Sequence, residues 1–350
     1  MKYKRNIFVS EFLKNSGKNI VPSLREKLKS VDDFNDWKRR FIQELKKTLK
    51  INKYNAPEPD IEELEVYDRE DYILKKIIYN TFDDLSVPAY MLIPKKKLNN
   101  RSSILCLHGH YPTDKDVLAG FKLKKINRNF AEVLVKSGYT VIAADQINFG
   151  ERMEEDLNIM RNMLEPIFAV FERTLKRPCN KSALLASLTD MTLDGIRVIE
   201  AQRAIDVLLN YSESNSSSIG CMGVSSGGLT ALFVSALDSR IKCSVAAACF
   251  GSYKDLLFNT SQCMCGYIPD LMSLFDMGDI CAAICPRPLN IQIGKTDNYF
   301  DYKCSEDEIN HIKYVYNLLS ESDKLNIKIY EFGHDVNIPD ACEWFNCHLK

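Results

Sequence analysis

The spacing of apolar residues changes along the chain, and each change marks a different kind of element. Trp37, Phe41, Ile42, Leu45 and Leu49 recur at intervals of three and four, which places them on one face of a helix. Lys38, Arg39, Arg40, Lys46 and Lys47 fill the other face, so the pattern predicts a basic amphipathic surface helix packed on its own domain. Ala56-Pro57-Glu58-Pro59-Asp60 then breaks the helical pattern and marks a linker. From Tyr72 the period shortens. Segments 73–79 and 87–93 are rich in β-branched and aromatic residues and are separated by Asn80-Thr81-Phe82-Asp83-Asp84, a pattern that predicts an antiparallel hairpin.

Beyond the hairpin the apolar runs become short and continuous, at 104–107, 140–144, 243–250, 289–293 and 326–332. Such runs suit strands buried on both faces. Amphipathic segments lie between them, around 130–134, 188–209, 229–237 and 309–319, with a last helix at about 340–347. This alternation predicts a mainly parallel sheet with helices on both faces. Two stretches do not follow it. Residues 149–186 hold charged, methionine and aromatic side chains and predict a cap-like excursion beyond a strand's C-terminal end, where binding elements of such sheets collect. Residues 251–278 are irregular and carry Tyr253, Phe258, Tyr267, Leu271, Met272 and Phe275. The expected organisation is an N-terminal helical extension over 1–70 and an α/β domain over 71–350.

One junction in this alternation carries chemistry. The run Ile219-Gly220-Cys221-Met222-Gly223-Val224-Ser225-Ser226-Gly227-Gly228-Leu229 passes from a strand through Gly-x-Ser-x-Gly into a helix. That pattern forces a serine into a tight turn with its hydroxyl clear of the sheet, and Gly223 and Gly227 leave room for crowded backbone. A serine so placed needs a base, and the base needs a third group to orient it. The chain has five histidines. His108 and His110 precede the serine, His311 falls in a predicted helix, and His348 falls in a terminal one. His334, in Phe332-Gly333-His334-Asp335 just after a strand, is the expected base. Asp297, in Gly294-Lys295-Thr296-Asp297 past another strand, is the expected acid, with Asp301 and then Glu306 behind it. Oxyanion donors are expected from the backbone N–H of Ser226 and from that of His110 in Leu107-His108-Gly109-His110. The two upstream imidazoles read as structural or pocket-lining groups.

Bulk composition narrows the classes. The 350 residues are 45% hydrophobic and 27% charged, as in a globular protein with a sizeable core. Lys+Arg 46 against Asp+Glu 47 gives a net charge of −1, which argues against nucleic-acid binding. No apolar run is long enough for a membrane span and no signal-peptide core develops, so a cytoplasmic location is expected. The twelve cysteines are scattered and several lie in apolar runs, as small buried residues of a reducing compartment do. Cys263-Met264-Cys265 is the only tight pair. Its spacing is not a usual zinc spacing and no Cys/His pair lies near it in sequence, so no metal is expected.

From about residue 70 onward the chain resembles an α/β-hydrolase of the dienelactone hydrolase superfamily, closest to its acetyl xylan esterase-like branch. The resemblance rests on Leu107-His108-Gly109-His110, Asp145 with Phe149-Gly150-Glu151-Arg152, and Gly223-Val224-Ser225-Ser226-Gly227-Gly228. It continues through Asp279-Ile280, Pro286-Arg287-Pro288-Leu289, Gly294-Lys295-Thr296-Asp297 and Gly333-His334. The resemblance implies a Ser–His–Asp hydrolase that works through an acyl-enzyme and needs no cofactor. Two features depart from the family. Sugar-deacetylating members tend to carry an Arg-Gly-Gln-Gly type motif near Phe149-Gly150-Glu151-Arg152, so xylan deacetylation is not carried over. Dienelactone enzymes use a cysteine nucleophile where this chain has Ser225.

The expected function is therefore hydrolysis of a small-molecule carboxylic ester or lactone by Ser225, Asp297 and His334. Competing expectations are a peptidase or amidase, a biosynthetic tailoring hydrolase or acyltransferase, and a non-catalytic binding protein of the same fold. The N-terminal 70 residues are expected to cover the active site or to form a subunit contact in a homo-oligomer. Glu151 and Arg152 are expected either to reach the pocket or to pair with each other.

Overall fold

A computed structural model describes residues 20–96, 102–110, 113–122, 127–153, 178–211, 218–259 and 262–349, with isolated positions before residue 20. Nine strands form one sheet: β1 (Glu62–Asp68), β2 (Tyr72–Phe82), β3 (Leu85–Pro94), β4 (Ser103–Leu107), β5 (Thr140–Ala144), β6 (Ile219–Val224), β7 (Ile241–Ala247), β8 (Leu289–Gly294) and β9 (Leu325–Tyr330). Their spatial order is β1-β2-β3-β5-β4-β6-β7-β8-β9. Strands β4 to β9 are parallel neighbours, while β1, β2 and β3 join antiparallel. The main helices are α1 (Val31–Thr48), α2 (Phe130–Lys136), α3 (Pro178–Leu188), α4 (Leu193–Asn210), α5 (Ser226–Leu237), α6 (Met277–Ala282), α7 (Glu306–Leu318) and α8 (Ile338–His348).

Side-chain alternation along the buried strands divides the core between the two faces of the sheet. Ile104 and Cys106 of β4, Val141 and Ala143 of β5 and Met222 of β6 pack with α2 and α8. Their neighbours Leu105, Leu107, Ile142, Ala144 and Cys221 pack with α4 on the other side. The chain is thus a mostly parallel sheet covered on both faces, as the alternation of runs predicts. The expected antiparallel hairpin also forms, with Ile73 opposite Ile93 and Tyr79 opposite Val87.

Helix α1 begins at Ser30, whose hydroxyl accepts from Asp33 N–H, and it carries acidic residues in its first turn and basic ones in its last. Its apolar stripe packs into the protein's own core, with Trp37, Phe41, Leu45 and Leu49 buried and Ile42 partly buried. Trp37 stacks on Phe41 at 5.0 Å, and Phe41 meets Phe275 edge-on at 5.2 Å. Arg25, ahead of the helix, reaches Asp279 Oδ2 at 2.9 Å and Glu308 Oε2 at 2.6 Å. The described part of the N-terminal segment is therefore bound into the core. Lys38, on the face expected to be solvated, donates to the Cys285 carbonyl at 2.6 Å, and burial pushes its ammonium down to about 8.

Two elements differ from the expected boundaries. Glu62–Asp68 lies in the stretch read as mostly helical but is a strand, β1, exposed along its length and paired to β2. The long helix expected over 188–209 forms but starts later, at Leu193: Asp190 takes a positive φ of 56°, which separates it from α3, and Thr192 caps α4 by accepting from Gly195 N–H at 3.0 Å. Most of the expected excursion, residues 154–177, lies outside the described residues. Among the described residues no helix is long and apolar enough to cross a membrane.

Candidate active site

Ser225 sits between the last residue of β6 and the first of α5, with φ 59° and ψ −126°. A side chain other than glycine at positive φ costs of order 1–3 kcal/mol, so the surroundings must hold it there. They do so through the backbone: Ser225 N–H donates to Ala247 O at 2.9 Å, and Ser225 O accepts from Leu229 N–H at 3.0 Å. Space is the second constraint. A Cβ on Gly223 would lie 2.1 Å from Gly227 O, and one on Gly227 would lie 2.2 Å from Leu107 O. Both contacts are far inside van der Waals range, which is why the turn carries glycine on either side of the serine.

The loop after β4 lies against the same turn. A Cβ on Gly109 would stand 2.9 Å from Ser225 Cβ and 3.5 Å from its hydroxyl. His108 is fully buried. Its Nε2 accepts from Gln146 N–H at 2.9 Å and its Nδ1 meets the Gly109 carbonyl at 2.7 Å, a pattern that defines one neutral tautomer. Burial also lowers its proton affinity. His108 is thus a structural brace between two loops. His110 holds the same loop from its other end: its carbonyl accepts from Thr113, and its ring meets Phe149 edge-on at 5.2 Å.

Asp297 and His334 come together at the ends of β8 and β9. His334 Nδ1 is 2.8 Å from Asp297 Oδ2, and the carboxylate's other oxygen accepts from Tyr299 N–H at 2.8 Å and Phe300 N–H at 3.1 Å. The Asp297 side chain is buried, whereas 24% of His334 remains exposed. Phe300 lies parallel to the imidazole and Tyr299 meets it edge-on at 5.0 Å. Arg128 donates to the His334 carbonyl. These three flanking residues belong to no motif, and only their proximity in the fold reveals them. The other candidate acids are occupied elsewhere: Asp301 accepts from Lys303 N–H at 3.0 Å, and Glu306 stands in the first turn of α7. The remaining histidines lie apart from this pair. His311 Nε2 is 2.9 Å from Asp279 Oδ1, and His348 packs on Trp344.

Glu151 and Arg152 do not pair with each other. Glu151 bonds Lys115 and lies 2.9 Å from Lys76, while Arg152 grips Glu200 with both terminal nitrogens, at 2.8 and 2.6 Å. Lys115 is buried and also bonds Asp145 at 2.8 Å. Asp145 in turn accepts from the backbone of Lys115 and Glu151. The Asp145 and Phe149-Gly150-Glu151-Arg152 motif is therefore a charge network, buried at Asp145 and Lys115 and exposed at Glu151, that shapes the loop after β5.

Comparison with known proteins places this architecture. A profile of the Abhydrolase family matches residues 9–163. The protein "Putative hydrolase YtaP" of Bacillus subtilis (strain 168) is 26% identical over 245 residues, covering 68% of this chain and 74% of its own. A solved structure described as a "putative acetyl xylan esterase" from Bacteroides fragilis NCTC 9343 superposes with a TM-score of 0.75 at 18% identity, over 93% of this chain and 83% of that one. Glucuronoyl esterase from Solibacter usitatus superposes with a TM-score of 0.65 at 12% identity, over 93% and 96%. The chain is an α/β-hydrolase by fold, similar over most of its length to acetyl xylan esterase-like proteins.

Proposed function

We propose that the chain is a serine carboxyl-ester hydrolase of the dienelactone hydrolase superfamily, acting on a small-molecule ester or lactone. Ser225 is the nucleophile, His334 the base and Asp297 the group that orients it. Because Nδ1 of His334 faces Asp297, Nε2 is the nitrogen left to take the serine proton. Ser225 Oγ then bonds the ester carbon, and the carbonyl oxygen gains a negative charge held by the N–H groups of Ser226 and His110. Collapse expels the alcohol, which receives the proton from His334 Nε2. Water repeats the sequence on the acyl-enzyme, frees the acid and restores the serine hydroxyl. No cofactor enters this cycle.

The observation that carries this reading is the 2.8 Å His334–Asp297 pair at the strand ends of a sheet that also presents Ser225 at a positive-φ turn. The likeness to proteins described as esterases supports ester cleavage over amide cleavage. All twelve cysteines are free of disulfides, which suits the cytoplasm.

A fluorophosphonate probe tests the assignment. Labelling should map to Ser225 and vanish in Ser225→Ala, and turnover should follow on short-chain aryl esters and lactones. Folded wild-type protein that stays unlabelled would favour a binding protein. Equal turnover of amides and esters would favour a peptidase.

A further inference from the structure

The ring of His110 faces a group of sulfurs. Cys179 is in the first turn of α3, and Cys263 and Cys265 flank Met264 at the turn that begins Met264–Gly266. The Nε2 of His110 and the three Sγ atoms all lie within 4.8 Å of one another. Cys179 Sγ is 3.6 Å from His110 Nε2, and Cys265 Sγ is 3.4 Å from it.

We propose that His110, Cys179, Cys263 and Cys265 form a closed tetrahedral site for a structural zinc ion. Zinc–sulfur bonds of about 2.3 Å and zinc–nitrogen bonds of about 2.0 Å, set at tetrahedral angles, require N···S edges of about 3.5 Å. The two N···S separations match that edge. Hydrogen bonding alone explains the arrangement poorly. A neutral imidazole nitrogen offers one lone pair, and here two sulfurs crowd it. A cation at the centre satisfies all four atoms at once, and three thiolates with one imidazole are a set that favours zinc over harder cations.

The surroundings fit a bound metal. Arg197 is buried, and it places Nη2 2.9 Å from Cys179 Sγ while Nη1 is held by Asp194 at 2.8 Å. A buried guanidinium gains little from a neutral thiol but much from a metal-bound thiolate, whose charge it offsets. Asn180 Oδ1 accepts from Met264 N–H at 3.1 Å and so fixes the Cys-x-Cys turn to α3. Phe149, Leu193 and Ile196 close the site with apolar surface. This shell orients the ligands, with Cys179 and Cys265 buried and His110 and Cys263 partly exposed. Binding exchanges three thiol protons for one Zn²⁺, so affinity falls as pH falls. The ion would tie the loop after β4, which lies against Ser225, to α3 and to the 263–266 turn.

The experiment is metal analysis of full-length protein expressed in zinc-supplemented medium and purified without chelators. One zinc per chain should survive gel filtration, and apo-protein made with chelator and reductant should take up one Co²⁺ with the visible bands of a tetrahedral thiolate site. Cys263→Ser with Cys265→Ser should lose the metal while far-UV circular dichroism shows a folded chain. If that variant fails to fold, His110→Cys should still bind one Co²⁺ with stronger thiolate charge transfer. Folded wild-type protein with less than a tenth of an equivalent of zinc and no Co²⁺ uptake overturns the proposal. So does iron in place of zinc, or a disulfide among the three cysteines in mass spectra of freshly lysed cells. Zinc content and fluorophosphonate labelling are separate readouts, so failure of one claim is not failure of the other.

Discussion

Asp297 holds the imidazole of His334: one carboxylate oxygen lies 2.8 Å from Nδ1, and the other is engaged by the N–H groups of Tyr299 and Phe300. The carboxylate cannot swing away without breaking two backbone bonds, so it imposes one ring tautomer. Asp297→Asn keeps the shape but presents an amide that stabilises the wrong tautomer. Turnover of an aryl ester should fall by about 10³–10⁴-fold with little change in KM. Asp301→Asn should stay within a few-fold of wild type, since Asp301 caps a short turn. Steady-state kinetics of both variants decide the matter, and the reverse ranking would reassign the acid.

The serine turn tolerates no added atoms on its flanks. Gly223→Ala would drive a methyl to 2.1 Å from Gly227 O, and both partners are backbone, so relief requires moving α5 away from β6. The expected loss is about 3 kcal/mol or more, at the upper end of overpacking costs. Urea unfolding should show a lower midpoint, together with reduced fluorophosphonate labelling. A variant as stable as wild type would mean that the turn is looser than its contacts imply.

Arg25 neutralises two buried carboxylates on different elements. Arg25→Ala leaves Asp279 and Glu308 without the guanidinium and should cost about 3 kcal/mol, as breaking a buried pair does. The pH dependence has a definite sign. Burial pushes the Asp279 carboxyl up, but the hydrogen bond from His311 and the charge of Arg25 outweigh it and hold the group below its usual range. Its stabilisation is therefore present above about pH 4, the unfolded carboxyl value, and is lost as pH falls further. Melting curves from pH 6 to 3 should converge for wild type and Arg25→Ala, whereas a constant gap would remove Asp279 from the account.

Trp37 joins the N-terminal helix to the core. It is 1% exposed, stacks on Phe41 and donates to Leu24 O at 2.7 Å. Trp37→Ala should cost about 3–5 kcal/mol, the range for deleting a large buried aromatic ring. Thermal unfolding should remain a single transition at lower temperature. A separate early transition would mean that the N-terminal helix unfolds on its own.

What was legible in the sequence was local. The buried strands at 104–107 and 140–144 were visible because continuous apolar runs bounded by polar residues have few other uses, and the serine turn was visible because its crowding demands glycine at fixed offsets. Asp297 and His334 could be picked out because each follows such a strand. Strand β1 escaped notice because all seven of its residues are exposed, so burial left no alternation to read. Glu151 and Arg152 lie side by side, yet each bonds a partner on another element that no pattern within the loop could indicate. The cysteine cluster was hidden more deeply. Cys179 is 69 positions from His110 and Cys265 is 155 positions from it, so no spacing rule could join them before the chain was folded.

The order of the sheet also bears on how the protein is made. Ser225 lies at its centre, while the Asp297–His334 pair bridges β8 and β9, the last two strands of the sheet in sequence and its outermost two on one side. During synthesis the serine turn leaves the ribosome well before its proposed base, and no partial chain that stops short of β9 can assemble the pair. On the proposed triad, a nascent chain therefore carries an unactivated hydroxyl until the final strand docks.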